Sequence, residues 1–123
     1  MTHTVLPHEH NPATAVLVDS MPETGTFSSV AELFSLLSDP TRIKILWLLC
    51  HTEDCVINIA AAMDMSSPAV SHHLKILKQS GILAYRKDGK EAYYRLADGE
   101  IATETHKIID AVFNMGCIVK EGM

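Results

Sequence analysis

Ser66-Ser-Pro-Ala-Val-Ser-His-His-Leu-Lys-Ile-Leu-Lys-Gln-Ser-Gly81 is the stretch on which the fold of this chain turns. Ser67 directly before Pro68 predicts a helix start: a hydroxyl to cap the free amides, then a residue whose φ is already set. Val70, Leu74 and Leu77 recur at helical spacing and predict one apolar face. Ser71, His72, Lys75 and Lys78 fall elsewhere on the turn, and Gly81 supplies a stop. Hydroxyls and a proline at the N-terminal end, followed by imidazoles and lysines, suit a helix whose first turns approach phosphates and base edges. An ordinary surface helix has the same pattern, so the flanking sequence has to arbitrate.

The next stretch does so. Ile82-Leu-Ala-Tyr-Arg-Lys-Asp-Gly-Lys-Glu-Ala-Tyr-Tyr-Arg-Leu96 reads as two strands around Asp88-Gly89, a dipeptide that tolerates the positive φ of a tight hairpin. Arg86, Lys87 and Lys90 cluster at the predicted tip. Helix, turn, helix and basic hairpin is the winged helix-turn-helix arrangement: mainly α, with a small β-hairpin wing. The whole chain carries −5, which spread evenly would disfavour nucleic acid. It is not spread evenly. Lys75, Lys78, Arg86, Lys87, Lys90 and Arg95 face only Asp88 and Glu91 in the same interval, and this local excess is the footprint a phosphate backbone needs.

At 123 residues the chain is expected to form one domain, with a core but little room for an enzyme's cleft. No nucleophile–base pair stands in a recognisable motif, no glycine loop cradles a phosphate, and no paired acids bracket a cleft, so catalysis is not expected. No run approaches a membrane span, and the N-terminus lacks the basic-then-apolar build of a signal peptide. Three cysteines, without framework spacing, point to a reducing cytoplasm and to thiols kept for reactivity or metals.

Residues 1–25 read as a flexible arm, because Pro7, Pro12 and Pro22 interrupt any periodicity and Ala13–Val18 is too short to fold alone. Residues 26–117 read as the DNA-binding and dimerising domain, and 118–123 as a tail. A first helix is predicted from about Phe27 to Ser38. Asp39-Pro40 opens a second, nearly all-round apolar and hence buried. A third spans roughly Cys55 to Met63, with Thr52 or Asp54 as cap. Asp98 is read as the cap of a last helix ending near Met115-Gly116. The apolar set Ile101, Ile108, Ile109, Val112 and Met115 is too rich for a terminal helix facing water, and predicts a dimer through terminal helices. A symmetric dimer also matches symmetric DNA half-sites.

Asp39-Pro-Thr-Arg-Ile-Lys-Ile-Leu46, Asp54-Cys-Val-Ile-Asn-Ile59, Ser66-Ser-Pro-Ala-Val-Ser-His-His-Leu74 and Tyr93-Tyr-Arg-Leu96 resemble, in order and spacing, the motifs of the ArsR/SmtB family of repressors. The resemblance covers roughly residues 27 to 115. It implies a homodimeric winged-helix repressor that binds double-stranded operator DNA and leaves it when an inducer binds, in that family usually a metal ion and in some branches an oxidant or reactive sulfur species. By match to the motif, Ser66, Ser67, Ser71, His72 and His73 face the major groove, with Lys75 on the same helix. Arg86, Lys87 and Lys90 serve the wing.

Three inducer sites stay open. The family's thiol pair at the start of the third helix reads Cys55-Val56-Ile57 here, so one thiol survives. His51 and the arm imidazoles His3, His8 and His10 would complete a mixed sulfur–nitrogen site for zinc, cadmium or another borderline metal. The second family site, on the last helix, matches at Asp98 and Glu100, but its later ligands fall at Ala111 and Asn114. His106 and Asp110, four apart and so about 6 Å along one helix face, could pair with Asp98 or Glu100 across an antiparallel dimer seam and bind a harder metal through nitrogen and oxygen, with nickel beside zinc and cadmium among the candidate ions. The third route is a thiol switch between Cys50 and Cys117. The thiol-responsive branches place their cysteines on these same two helices, about one turn earlier, at the positions of Trp47 and Phe113.

Overall fold

The computed structural model describes residues 4–121, with side chains described through Asn114. The helices are α1 (Pro12–Asp19), α2 (Thr24–Leu36), α3 (Pro40–Leu49), α4 (Val56–Met63), α5 (Ser67–Gln79) and α6 (Glu100–Glu121). The strands are β1 (Asp54–Cys55), β2 (Leu83–Asp88) and β3 (Glu91–Leu96), antiparallel in the order β1-β3-β2. Two compact units divide between Phe34 and Ser35.

Within the first unit, the segment read as an arm carries a helix. Asn11 is extended at φ −143° and its side chain accepts the Ala13 N–H at 2.9 Å, with Pro12 beginning α1. Proline here starts a helix, because the first helical N–H has no partner to lose. Phe27, Val30 and Phe34 of α2 are exposed.

In the second unit, Asp39 caps α3 as expected, accepting the Arg42 N–H at 3.1 Å. Neither Thr52 nor Asp54 is the N-cap of α4. That position falls to Cys55, which makes no capping bond with its side chain. Asp54 instead accepts the Cys55 N–H at 2.8 Å and the Asn58 side-chain amide at 2.9 Å. Asp64, at φ 54° and ψ 47°, ends α4 in the left-handed region and turns the chain into α5. Ser66, one residue before the expected Ser67, caps α5 through the Ala69 N–H at 3.3 Å. Pro68 has no N–H to offer, so the cap reaches the next amide.

The hairpin register pairs Asp88 with Glu91, so the turn residues are Gly89 and Lys90 rather than Asp88 and Gly89. Gly89 at φ +63° is the only left-handed member, the pattern of a type II′ turn, whose twist matches the flanking strands. The third strand was not anticipated: β1 pairs Asp54 with Tyr94 and Cys55 with Tyr93. Asp98 lies two residues before α6 and bonds Arg95 Nη1 at 3.4 Å. The opening turn of α6 is closed by the Thr103 N–H on the Gly99 carbonyl, and the helix runs past the expected end at 115–116 to Glu121.

Ile45, Leu46, Ile59, Val70, Leu74, Leu77 and Ile82 are fully buried, with Leu83, Tyr94, Ala102 and Ile109 around them. The buried hydroxyl of Thr105 donates to the Ile101 carbonyl at 2.6 Å, so this core holds no cost from that group. Leu74 occupies the middle of the stripe. Leu74→Ala is therefore expected to destabilise the domain by about 2–5 kcal/mol in urea unfolding followed by circular dichroism. A loss below about 1 kcal/mol would show that α5 is not seated on this core.

Candidate nucleic-acid interface and inducer sites

The stripe Val70, Leu74 and Leu77 faces inward, and at 100° per residue the opposite side of α5 presents Pro68, His72, Lys75 and Gln79. All four are exposed. Ser71 and Ser67 are half-buried on one flank. Ser66 stands at the exposed N-terminus, though its hydroxyl is spent on the cap. His73 departs from expectation. It sits three residues after Val70, on the core side of the other flank, with Nδ1 buried and without a hydrogen bond among the described residues. At the α3 cap the Arg42 amide, against burial and with His73 adding to it, holds the Asp39 carboxyl below the usual carboxylate range. Helical register, not residue type, takes His73 away from the outward face.

The wing is reinforced by rings. Tyr85 and Tyr94 stack at 5.6 Å, Lys78 Nζ stands 3.9 Å over the Tyr85 ring, and Arg86 lies 4.7 Å over Tyr93. Burial pushes the Tyr94 hydroxyl up from its ordinary value. Arg86 is tied by Glu53, whose hydrogen bond raises the guanidinium further above its usual range. Lys75, Lys87 and Lys90 are exposed and have no ion pair among the described residues. The outward face of α5 and the tip of the wing therefore offer exposed cations without an ion pair among the described residues, the equipment for phosphates and base edges.

The nominated inducer ligands are not gathered in one chain: no three His, Cys, Asp or Glu side chains converge to hold an ion among the described residues. His106 and Asp110 do meet, Nε2 to Oδ2 at 3.3 Å on half-exposed side chains. Asp98 is engaged by Arg95, and Glu100 is exposed in the first turn of α6. Cys55 is buried where β1 meets α4. The His51 Nδ1 lies 2.6 Å from the Trp47 carbonyl, with its ring 4.7 Å from the indole. Within the first unit, His8 and His10 stack at 5.2 Å and are exposed. Cys117 lies outside the residues whose side chains are described. Cys50 is free, and burial, with Asp110 adding to it, pushes its thiol up to about 11.

Together the two helices, the tight turn at Asp64 and the three-stranded basic wing define a winged helix-turn-helix domain of the DNA-binding type. The family model of bacterial regulatory proteins of the arsR family matches residues 39–85. A transcriptional repressor SmtB homolog from Synechocystis is 41% identical over 81 residues, covering 66% of this chain and 61% of that repressor. The arsenical resistance operon repressor of Escherichia coli is 44% identical over 80 residues, covering 64% of this chain and 68% of that protein. Among solved structures, the homodimeric winged helix-turn-helix DNA-binding domain of a possible ArsR-family regulator from Mycobacterium bovis superposes with a TM-score of 0.61. It is 29% identical and covers 87% of this chain and 90% of that one. The chain belongs to the ArsR family. It spans about three fifths of the length of the SmtB-type relatives it matches. These relatives are transcriptional regulators, not enzymes, and no helix among the described residues is long and apolar enough to cross a membrane.

The raised Cys50 thiol has a measurable consequence, because only thiolate attacks an alkylating agent. Iodoacetamide labelling of Cys50, mapped by mass spectrometry, is expected to keep rising with pH toward about 11, against an ordinary 9.0. At neutral pH it would run about 100-fold below an unshifted thiol, since two pH units separate the titrations. A labelling rate that levels off near pH 9 would show that burial does not protect this thiol.

Proposed function

We propose that this chain is a homodimeric, cytoplasmic transcriptional repressor that holds operator DNA with α5 and the wing and leaves it when a metal ion binds. The observation that carries the DNA-binding part is the outward row Pro68, His72, Lys75 and Gln79 on α5, backed by an apolar stripe that fixes which way the row points. Ser67 and Ser71 flank this row, and Lys87 and Lys90 extend it at the wing. A dimer is supported by exposed apolar side chains on α6: Ile101 at 38%, Val112 at 59% and Phe113 at 37%. Two copies would present two recognition helices to half-sites about 34 Å apart, one turn of DNA.

For the inducer, the arsenical resistance function named for one relative and the His106–Asp110 pair support a metal. A pair supplies one nitrogen and one oxygen ligand, half of a tetrahedral set, so two copies would be needed to complete it. Zinc, cadmium or nickel held in this way would cross-link the two α6 helices and favour a dimer with wrongly spaced recognition helices. Coupling of this kind is typically worth about 1–3 kcal/mol. A thiol switch is less favoured, because Cys50 is held protonated.

Two measurements test this reading. In fluorescence anisotropy with a labelled fragment of the chain's own promoter, Ser71→Ala and His72→Ala should each abolish binding while sedimentation still shows a dimer. Wild-type affinity in either variant would mean that another face of α5 meets DNA. Titration of the metal-stripped, reduced complex with zinc, cadmium and nickel should release the DNA, and His106→Ala or Asp110→Ala should bind DNA but resist release. Binding indifferent to all three ions would remove metal from the proposal.

A further inference from the structure

Glu53 has no part in the reading above. It lies in the loop between α3 and β1, and its carboxylate reaches both strands of the wing. Its Oε1 accepts from Arg86 Nε at 3.1 Å and Nη2 at 2.7 Å, and its Oε2 stands 3.8 Å from Arg95 Nε. The register sets Arg86 of β2 opposite Tyr93, and Arg95 lies two residues beyond on β3, so the two arginines share one face as diagonal neighbours. One carboxylate between them offsets the repulsion of two like charges. Arg86 has further partners inside the wing, the Tyr93 ring at 4.7 Å and Asp88 at 3.7 Å.

A guanidinium fork is the side-chain group best matched to a phosphate, and here two of its donors, Nε and Nη2, are both spent on one carboxylate oxygen, Glu53 Oε1. Arg86 therefore stands at the wing already holding the anion it would otherwise take from DNA. Its neighbours Lys87 and Lys90 hold none among the described residues. To reach a phosphate, Arg86 would have to leave Glu53, whose side chain is only 29% exposed, with Arg95 at 3.8 Å as its remaining partner.

We propose that Glu53 is an internal competitor for DNA phosphate: it keeps Arg86 out of the phosphate contacts and so sets the affinity of the wing and its dependence on salt. The inference rests on the DNA-binding reading and names the residue that limits it. Each phosphate neutralised by a protein cation contributes about 0.9 to the slope of log K against log salt on B-DNA. The slope therefore counts phosphate ligands.

The test is that slope, measured by anisotropy on the full chain with the labelled promoter duplex, for wild type, Glu53→Gln, Arg86→Gln, the double variant and Lys87→Ala. Glu53→Gln is expected to bind more tightly and to steepen the slope by about one unit, as Arg86 gains a phosphate. Arg86→Gln alone is expected to keep the wild-type slope, and the double variant to return to it. Arg86→Gln alone separates release of Arg86 from a general charge effect: it removes one positive charge, which would lower the slope on charge grounds, whereas the double variant has the wild-type net charge and returns on either account. Glutamine keeps an acceptor for the arginine, and thermal melts of each variant guard against loss of fold. The proposal is overturned by an unchanged slope in Glu53→Gln, or by an Arg86→Gln slope that falls by about one unit. Lys87→Ala reports on the underlying reading separately: its slope should fall by about one, and a wild-type chain whose binding ignores salt overturns both.

Discussion

Burial of the Val70, Leu74 and Leu77 stripe is the constraint on which the rest depends. All three side chains are withdrawn from water, so α5 cannot roll about its axis without exposing the centre of the core. That fixes the azimuth of every other residue on the helix. His72 and Lys75 point outward for the same reason that Leu74 points inward, and His73 is denied the outward face although its chemistry would suit it. The functional surface is the remainder left when the core has taken its side.

The wing follows a different logic. A two-stranded hairpin alone is marginal in water, and this one is supported on three sides. Tyr94 is sunk in the core, β1 adds a third strand, and Glu53 bridges both long strands. The polar part of that support is built from the same residue types that bind nucleic acid. Arginine serves here as framework, while the lysines at the tip carry charge without structural duty. A net charge of −5 is compatible with a basic face because charge acts locally, within about a Debye length of 8–10 Å.

What the sequence made legible was what local rules govern. The α5 stripe, the Asp39-Pro40 start of α3 and the two strands of the hairpin all follow from spacing and turn chemistry, and the structure has them. Caps and turns are off by one residue, Ser66 rather than Ser67 and Gly89-Lys90 rather than Asp88-Gly89, while helix ends are off by more: α2 is Thr24–Leu36 rather than Phe27 to Ser38, and α6 reaches Glu121. α1 was legible and passed over, since Asn11-Pro12 repeats the device used at Asp39-Pro40. The short apolar run behind it hid the signal. β1 was not legible, because two residues have no periodicity. Nor was Glu53, whose arginine partner is 33 positions away. The His106–Asp110 pair was legible from its spacing of four, and the two side chains meet at 3.3 Å.

The β1–β3 pairing also orders events in folding. The β2–β3 hairpin closes over a two-residue turn, and hairpins of this kind form within microseconds. Its link to β1 spans the whole of α4 and α5, so it must wait until those helices have condensed and the loop-closure entropy has been met. Alone the hairpin is marginal in water, so it becomes a stable wing only once β1 and the core close on it. The pairing of Asp54 with Tyr94 and Cys55 with Tyr93, at the root of the hairpin, is the long-range part of the sheet. The root of the wing is thereby joined directly to the start of α4, since Cys55 both pairs with Tyr93 and stands at the N-cap of that helix.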